Sequence, residues 1–187
     1  MLIEHLTGDG YEQAVYDHLL TPLGITTARV TGNDDLRSGE VDHPGGVERN
    51  FMEVLGGAGA WVATPADMVR IVDSFDTARP GWHPFGPELG AEHLALTDAM
   101  AVPRAHRFGL GLLLWDDGSW GHTGTIQNAH SIVIHRPDGL TVAVLVSGPV
   151  PSESSELKGA IERALRAVPV PDAPVVVTTV PTTGTTP

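Results

Sequence analysis

Residues Arg107–Gly148 constrain the fold more than any other part of the chain, because they read as consecutive β-strands joined by tight turns. Phe108–Trp115 is an almost continuous apolar run, the pattern of a buried strand. Asp116-Asp117-Gly118 follows as a turn, and Trp120–Ile126 as the second strand. Ala129–His135 sets Ile132 and Ile134 against Ser131 and Val133, the two-residue period of a strand. Pro137-Asp138-Gly139 has hairpin-turn chemistry: Pro presets its own φ, Asp hydrogen-bonds nearby backbone, and Gly accepts a positive φ. Leu140–Ser147 is the last strand. Ser152–Val168 then forms an amphipathic helix with Leu157, Ala160, Ile161, Ala164 and Leu165 on one face. The spacing therefore predicts a meander of these extended runs followed by a helix.

Upstream the pattern is helical and loop-rich. Met1–Gly8 reads as the end of a helix with Gly8 as its C-cap, and Tyr11–Leu20 as a second helix stopped by Pro22-Leu23-Gly24. From Thr31 to about Val54 the chain is polar, Gly-rich and aperiodic, hence a long surface loop. Gly56-Gly57-Ala58-Gly59-Ala60 lets backbone approach a neighbour closely. It lacks the Lys-Ser/Thr that a phosphate-cradling loop needs. Thr64-Pro65-Ala66-Asp67 is a helix start, with Thr64 as N-cap, Pro65 at the first position and Asp67 in the first turn. That helix runs to about Phe75, and a short one follows near Glu88–Met100.

Charge and composition narrow the function classes. The 187 residues carry a formal net charge of −12, with ten Arg and a single Lys, Lys158. Nucleic acid and anionic membrane surfaces both call for basic patches, so neither is an expected partner. The chain holds no cysteine, which excludes thiol chemistry, and no apolar run long enough for a transmembrane helix. His130 and His135 lie on opposite faces of one strand and cannot share a metal. No metal or organic cofactor is expected.

The second strand begins Trp120-Gly121-His122-Thr123-Gly124-Thr125. Its His-Thr-Gly resembles the third active-site motif of the serine β-lactamase and penicillin-binding family, written Lys-Thr-Gly or His-x-Gly. Four further pieces are similar to that family in the same order. They are Leu2–Gly8 with Tyr11-Glu12 and Thr21-Pro22-Leu23-Gly24-Ile25; Gly56–Gly59 leading into Ala63–Met68; Phe108-Gly109-Leu110-Gly111; and Arg136-Pro137-Asp138-Gly139. The resemblance is to class C β-lactamases, D-Ala-D-Ala carboxypeptidases and esterases.

It implies an α+β, β-lactamase/transpeptidase-like fold: an antiparallel sheet flanked by helices, plus part of a helical lobe, with the N-terminal part of the fold missing. Residues 1–167 would be the C-terminal portion of that domain, with 1–106 in the helical lobe and 107–167 as the three-strand meander and C-terminal helix. Residues 168–187, rich in Pro, Val and Thr, read as a disordered tail. The resemblance also implies roles. His122 would line the back of the pocket and Thr123 would contact a substrate carboxylate. Gly124 would let the strand approach the substrate, and the Thr125 backbone N–H would donate to the oxyanion hole. The reaction implied is acyl-enzyme formation with a β-lactam, a D-Ala-D-Ala peptide or an ester. His in place of Lys leans towards an ester or peptide, since histidine is mostly neutral at pH 7. An extracytoplasmic location fits such substrates.

The chain departs from the family pattern. It contains no Tyr-x-Asn, and its single Ser-x-x-Lys, Ser155-Glu156-Leu157-Lys158, follows the His-Thr-Gly instead of preceding it. That segment reads as a solvated helix face. Asn128-Ala129 stands where a glycine is expected. The alternative reading is a non-catalytic remnant or binding module of the same fold, and the chain by itself is expected to be inactive.

Overall fold

The computed structural model describes residues 2–32, 36–41, 55–94, 106–126, 129–147 and 154–167. Helix α1 (Leu2–Thr7) ends with the N–H of Gly8 bonded to the Glu4 carbonyl. Helix α2 (Tyr11–Val15) continues as a π-helical turn over Tyr16–Leu20, where the Thr21 N–H reaches the Tyr16 carbonyl. The expected Tyr11–Leu20 helix is present with its last turn widened. Leu20, Ile25 and Ala28 bury together just beyond it, under Trp61 and Ile71.

Strand β1 (Arg29–Val30) pairs antiparallel with β2 (Trp61–Val62), which follows a 3-10 turn at Gly56–Ala58. Helix α3 (Pro65–Asp73) starts as its sequence predicts. The Thr64 hydroxyl oxygen accepts the Asp67 N–H at 3.1 Å, and the Asp67 carboxylate accepts the Thr64 N–H at 3.1 Å. Two N–H groups that the helix leaves unpaired are thereby satisfied. Asp67 also takes the Thr27 hydroxyl at 2.6 Å, which ties the helix start to the segment before β1. Helix α4 (Pro87–Leu94) follows.

The sheet has five strands in sequence order, each antiparallel to the next: β3 (His106–Phe108), β4 (Leu113–Trp115), β5 (Trp120–Ile126), β6 (Ala129–His135) and β7 (Thr141–Ser147). This corrects the expected three-strand meander: the four extended runs read in the sequence become five strands. The apolar run Phe108–Trp115 is not one strand. It folds back on itself, with Phe108 opposite Leu113, the Gly109 N–H on the Leu112 carbonyl, and Gly111 at φ +81°. A positive φ costs a glycine little and breaks an extended run.

Helix α5 (Ser154–Ala167) completes a three-layer arrangement. Ile132 and Ile134 of β6 bury against Ile161 and Leu157 of α5. Val133, between them, buries on the other face against Val72 of α3, with Leu112, Leu114 and Trp120. All three β6 residues are 1–2% exposed, as a strand covered on both faces must be. Each such side chain contributes about 1.5–3 kcal/mol by leaving water. The expected tail 168–187 and most of the expected loop 31–54 lie outside the described residues.

Candidate functional site

Strand register decides which side chains of the His-Thr-Gly segment share a face. His122 pairs with Val133 and Gly124 with Ser131, whereas Thr123 pairs with Ile132 and Thr125 with His130. Directly opposed residues of an antiparallel pair point the same way. His122 and Gly124 therefore lie on the α3 face with Val133 and Trp120. The Thr123 and Thr125 side chains lie on the α5 face with Ile132. Strand β4 pairs with β5 only at Trp120 and Gly121, so over residues 122–126 the ladder described is the one with β6.

His122 is exposed, and its Nδ1 lies 2.7 Å from the carbonyl oxygen of Thr123. A carbonyl carries no proton, so Nδ1 is the donor. On the opposite face Thr125 Oγ1 lies 3.4 Å from Nδ1 of His130.

Two glycines set the shape of this strand. A Cβ on Gly121, at φ +155°, would stand 2.0 Å from the backbone oxygen of Val133. The two strands could not then keep their spacing. A Cβ on Gly124 would meet Ser131 Oγ at 2.5 Å, so the serine hydroxyl fills the space the glycine leaves on the His122 face. The glycine-rich segment meets the same strand at its far end. A Cβ on Gly59 would lie 3.1 Å from Ile126 Cδ1, and one on Gly57 would lie 2.6 Å from the Tyr11 hydroxyl. That hydroxyl accepts the Trp61 indole N–H at 2.9 Å. The close approach expected of these glycines is thus to Tyr11 and to the end of β5.

Beneath Trp120 lies a polar cluster that the sequence did not reveal. His135 is buried, stacks on Trp120 at 4.4 Å, and bonds the Thr141 hydroxyl at 2.8 Å. Its two ring nitrogens each face a carboxylate at 3.5 Å, Asp73 through Nδ1 and Asp76 through Nε2. Thr141 also bonds Asp73, and Arg79 pairs with both acids. Burial pushes the Asp73 carboxyl up, but the hydrogen bonds from His135 and Thr141 and the Arg79 charge outweigh it and hold it below the usual range. The cluster fastens α3 to β6 and β7, and so holds the sheet under His122. Its partners come from separate elements, which leaves no local sequence signal.

The Ser-x-x-Lys in α5 is not an alternative site. Lys158 was expected on a solvated helix face; instead only 15% of its side chain is exposed. Nζ lies 2.7 Å from Asp117 and 5.4 Å from the centre of the Trp115 ring. This places it on the α5 side of the sheet, across from His122. Among the described residues no three His, Asp or Glu side chains gather as a metal site, and no helix is long and apolar enough to cross a membrane.

The chain is similar in structure to SurE in a crystal structure with D-Leu (TM-score 0.64, 20% identity), over 91% of this chain and 43% of that one. It is also similar to a penicillin-binding protein from Bacillus halodurans (TM-score 0.63, 16% identity), over 86% of this chain and 51% of that one. The chain thus spans about half the length of either structure. No curated protein matches it. Identities this low speak for the fold alone. The family model described as Beta-lactamase matches residues 1–166. With that match over nearly its whole length, and with the β-lactamase/transpeptidase-like arrangement of sheet and helices, the chain belongs to the Beta-lactamase family, a family of serine hydrolase fold.

Proposed function

We propose that this chain forms one wall of a serine acyl-transfer site that takes β-lactams, D-Ala-D-Ala peptides or esters through an acyl-enzyme. The observation that carries the reading is the placement of His122 and Gly124 side by side on one face of β5, along the stretch that runs on past β4. An extended acyl group laid along that stretch would meet only the Ser131 hydroxyl at Gly124. It would have the Thr125 N–H as an oxyanion donor, an interaction worth roughly 3–4 kcal/mol in transition states. Thr123, on the other face, would reach a substrate carboxylate only around the strand edge. The nucleophile would come from a Ser-x-x-Lys helix outside the 187 residues.

A second reading, a binding module that keeps the cleft without the nucleophile, is favoured by the state of Lys158. The lysine of the chain's single Ser-x-x-Lys is held by Asp117 on the far side of the sheet. Both readings predict that the 187-residue chain is not labelled by a fluorescent penicillin or a fluorophosphonate. They also predict that N-acetyl-D-alanyl-D-alanine methyl ester shifts the amide resonances of residues 122–126 in an NMR titration. Labelling of the chain would remove the need for an outside nucleophile. Shifts confined to other elements would overturn the site.

A further inference from the structure

We infer that α4 is an acid-released element: it docks on the body of the chain through a neutral His93 and lets go when that imidazole takes up a second proton. Among its described side chains α4 turns only Gly90 and His93 inward, while Glu88, Leu89 and Glu92 are exposed. Gly90 leaves no room for a side chain, since a Cβ there would stand 2.6 Å from Thr77 Cγ2. The hold on the body therefore falls to His93. Its ring packs against Phe75 and Phe85, at 5.1 and 4.8 Å between ring centres, and those two rings stack on each other at 5.8 Å. It is 9% exposed, and its Nε2 is buried with no hydrogen-bond partner among the described residues. Phe75 in turn packs on the core cluster that holds Trp120, the first residue of β5. The docking of α4 is thus one ring away from the strand that carries His122.

A neutral imidazole can leave Nε2 as a bare acceptor, with its one proton on Nδ1. A second proton turns Nε2 into a charged donor, and a buried charged donor without an acceptor is costly. The flanking phenyl rings offer it no lone pair. The charged and titratable groups on the neighbouring elements are engaged elsewhere. At the end of α3 and just beyond it, Asp73 and Asp76 hold Arg79 and His135. His83, in the loop before Phe85, sets its ring nitrogens 2.9 and 2.8 Å from the carbonyl oxygens of Ser74 and Arg79. Glu88 and Glu92, on α4 itself, are exposed. Burial alone holds the His93 imidazole below its ordinary value. A base depressed in this way contributes stability that is whole above its unfolded value, near 6.5, and is lost progressively as pH falls below it.

Amide hydrogen exchange of the 15N-labelled chain tests this, read as protection factors at about pH 7.5 and about pH 5.5, above the range where ordinary carboxylates titrate. At both values α4 should exchange by a local opening, with less protection than β6. Its protection should fall about three- to tenfold between the two, tenfold being the ceiling for one imidazole whose open-state value is near 6.5. In His93→Phe, which keeps a ring in place and takes up no proton, α4 should stay docked with the same protection at both pH values. An unchanged pH dependence in His93→Phe would overturn the inference. So would wild-type protection of α4 that does not vary with pH, or exchange of α4 only together with β6, and these two arms decide by themselves should the variant not fold.

Discussion

Gly121 and Gly124 bracket the histidine of β5, and the structure predicts opposite outcomes for the same substitution at each. An alanine methyl at 121 would stand 2.0 Å from the Val133 oxygen and 2.9 Å from its carbonyl carbon, where carbon contacts relax only near about 3.5 Å. Both obstacles are backbone, and φ +155° is itself a region that side chains avoid. Relief requires β5 and β6 to part by more than about 1 Å across their shared ladder. The expected loss is at least about 4 kcal/mol, a large share of the roughly 5–15 kcal/mol that holds a domain folded. At 124 the obstacle is one hydroxyl, Ser131 Oγ at 2.5 Å, with the Ser131 Cβ already at 3.9 Å. A χ1 rotation clears it at about 0.5–1.5 kcal/mol, offset by about 0.4–1 kcal/mol from the stiffer unfolded chain. Gly124→Ala should therefore stay within about 1 kcal/mol of wild type, and Ser131→Ala in the same chain should recover the residue of that loss. Urea unfolding followed by tryptophan fluorescence measures all four proteins. The reasoning is refuted if Gly121→Ala costs under about 1 kcal/mol, or if Ser131→Ala leaves the effect of Gly124→Ala unchanged.

Other expectations follow from the buried charges. Glu40 accepts two bonds from Arg29, at 2.7 and 2.6 Å, and one from the Arg37 N–H, which together hold its carboxyl down at about 2. Glu40→Gln should cost about 3 kcal/mol by removing the carboxylate charge beside the buried Arg29 guanidinium. A depressed carboxyl contributes stability above its ordinary range and loses it as pH falls towards the folded value, so the variant should show a shallower acid dependence of urea unfolding. Burial raises the Asp67 carboxyl, but hydrogen bonds from Thr27 and Thr64 and the Arg70 charge bring it below the usual range, so Asp67→Asn should flatten the same acid limb. Thr64→Ala should cost about 1 kcal/mol by removing the N-cap of α3, as read in thermal unfolding. Lys158→Met should change stability by no more than about 1 kcal/mol, because its partner Asp117 is half exposed and the methylene stem can still cover Trp115.

The parts of the fold that were legible in advance are those set by short-range chemistry. Trp120–Ile126 and Ala129–His135 form strands with the bounds that alternation and turn residues imply. The Thr64–Asp67 capping box needs nothing beyond its own four residues. Phe108–Trp115 departs from the one strand expected, because an apolar run looks the same whether it is one buried strand or two short strands joined by a turn that carries an exposed Leu110. Alternation alone already assigns His122 and Gly124 to one face and Thr123 and Thr125 to the other. Which face looks towards α3 follows only from packing.

The sequence by itself determined strands β5, β6 and β7 with the turns between them, the start of α3, and the order of motifs that places the chain in its family. Those depend on side-chain period and local backbone preference, which act over a few residues. Only the tertiary structure decided that Ser131 occupies the space above Gly124, that the Gly56–Gly59 loop reaches Tyr11 and Ile126, and that His135 sits between Asp73 and Asp76 under Trp120. These contacts join residues far apart in the chain, and they exist because three layers must close on β6 from both sides, a condition that no local stretch of sequence can express.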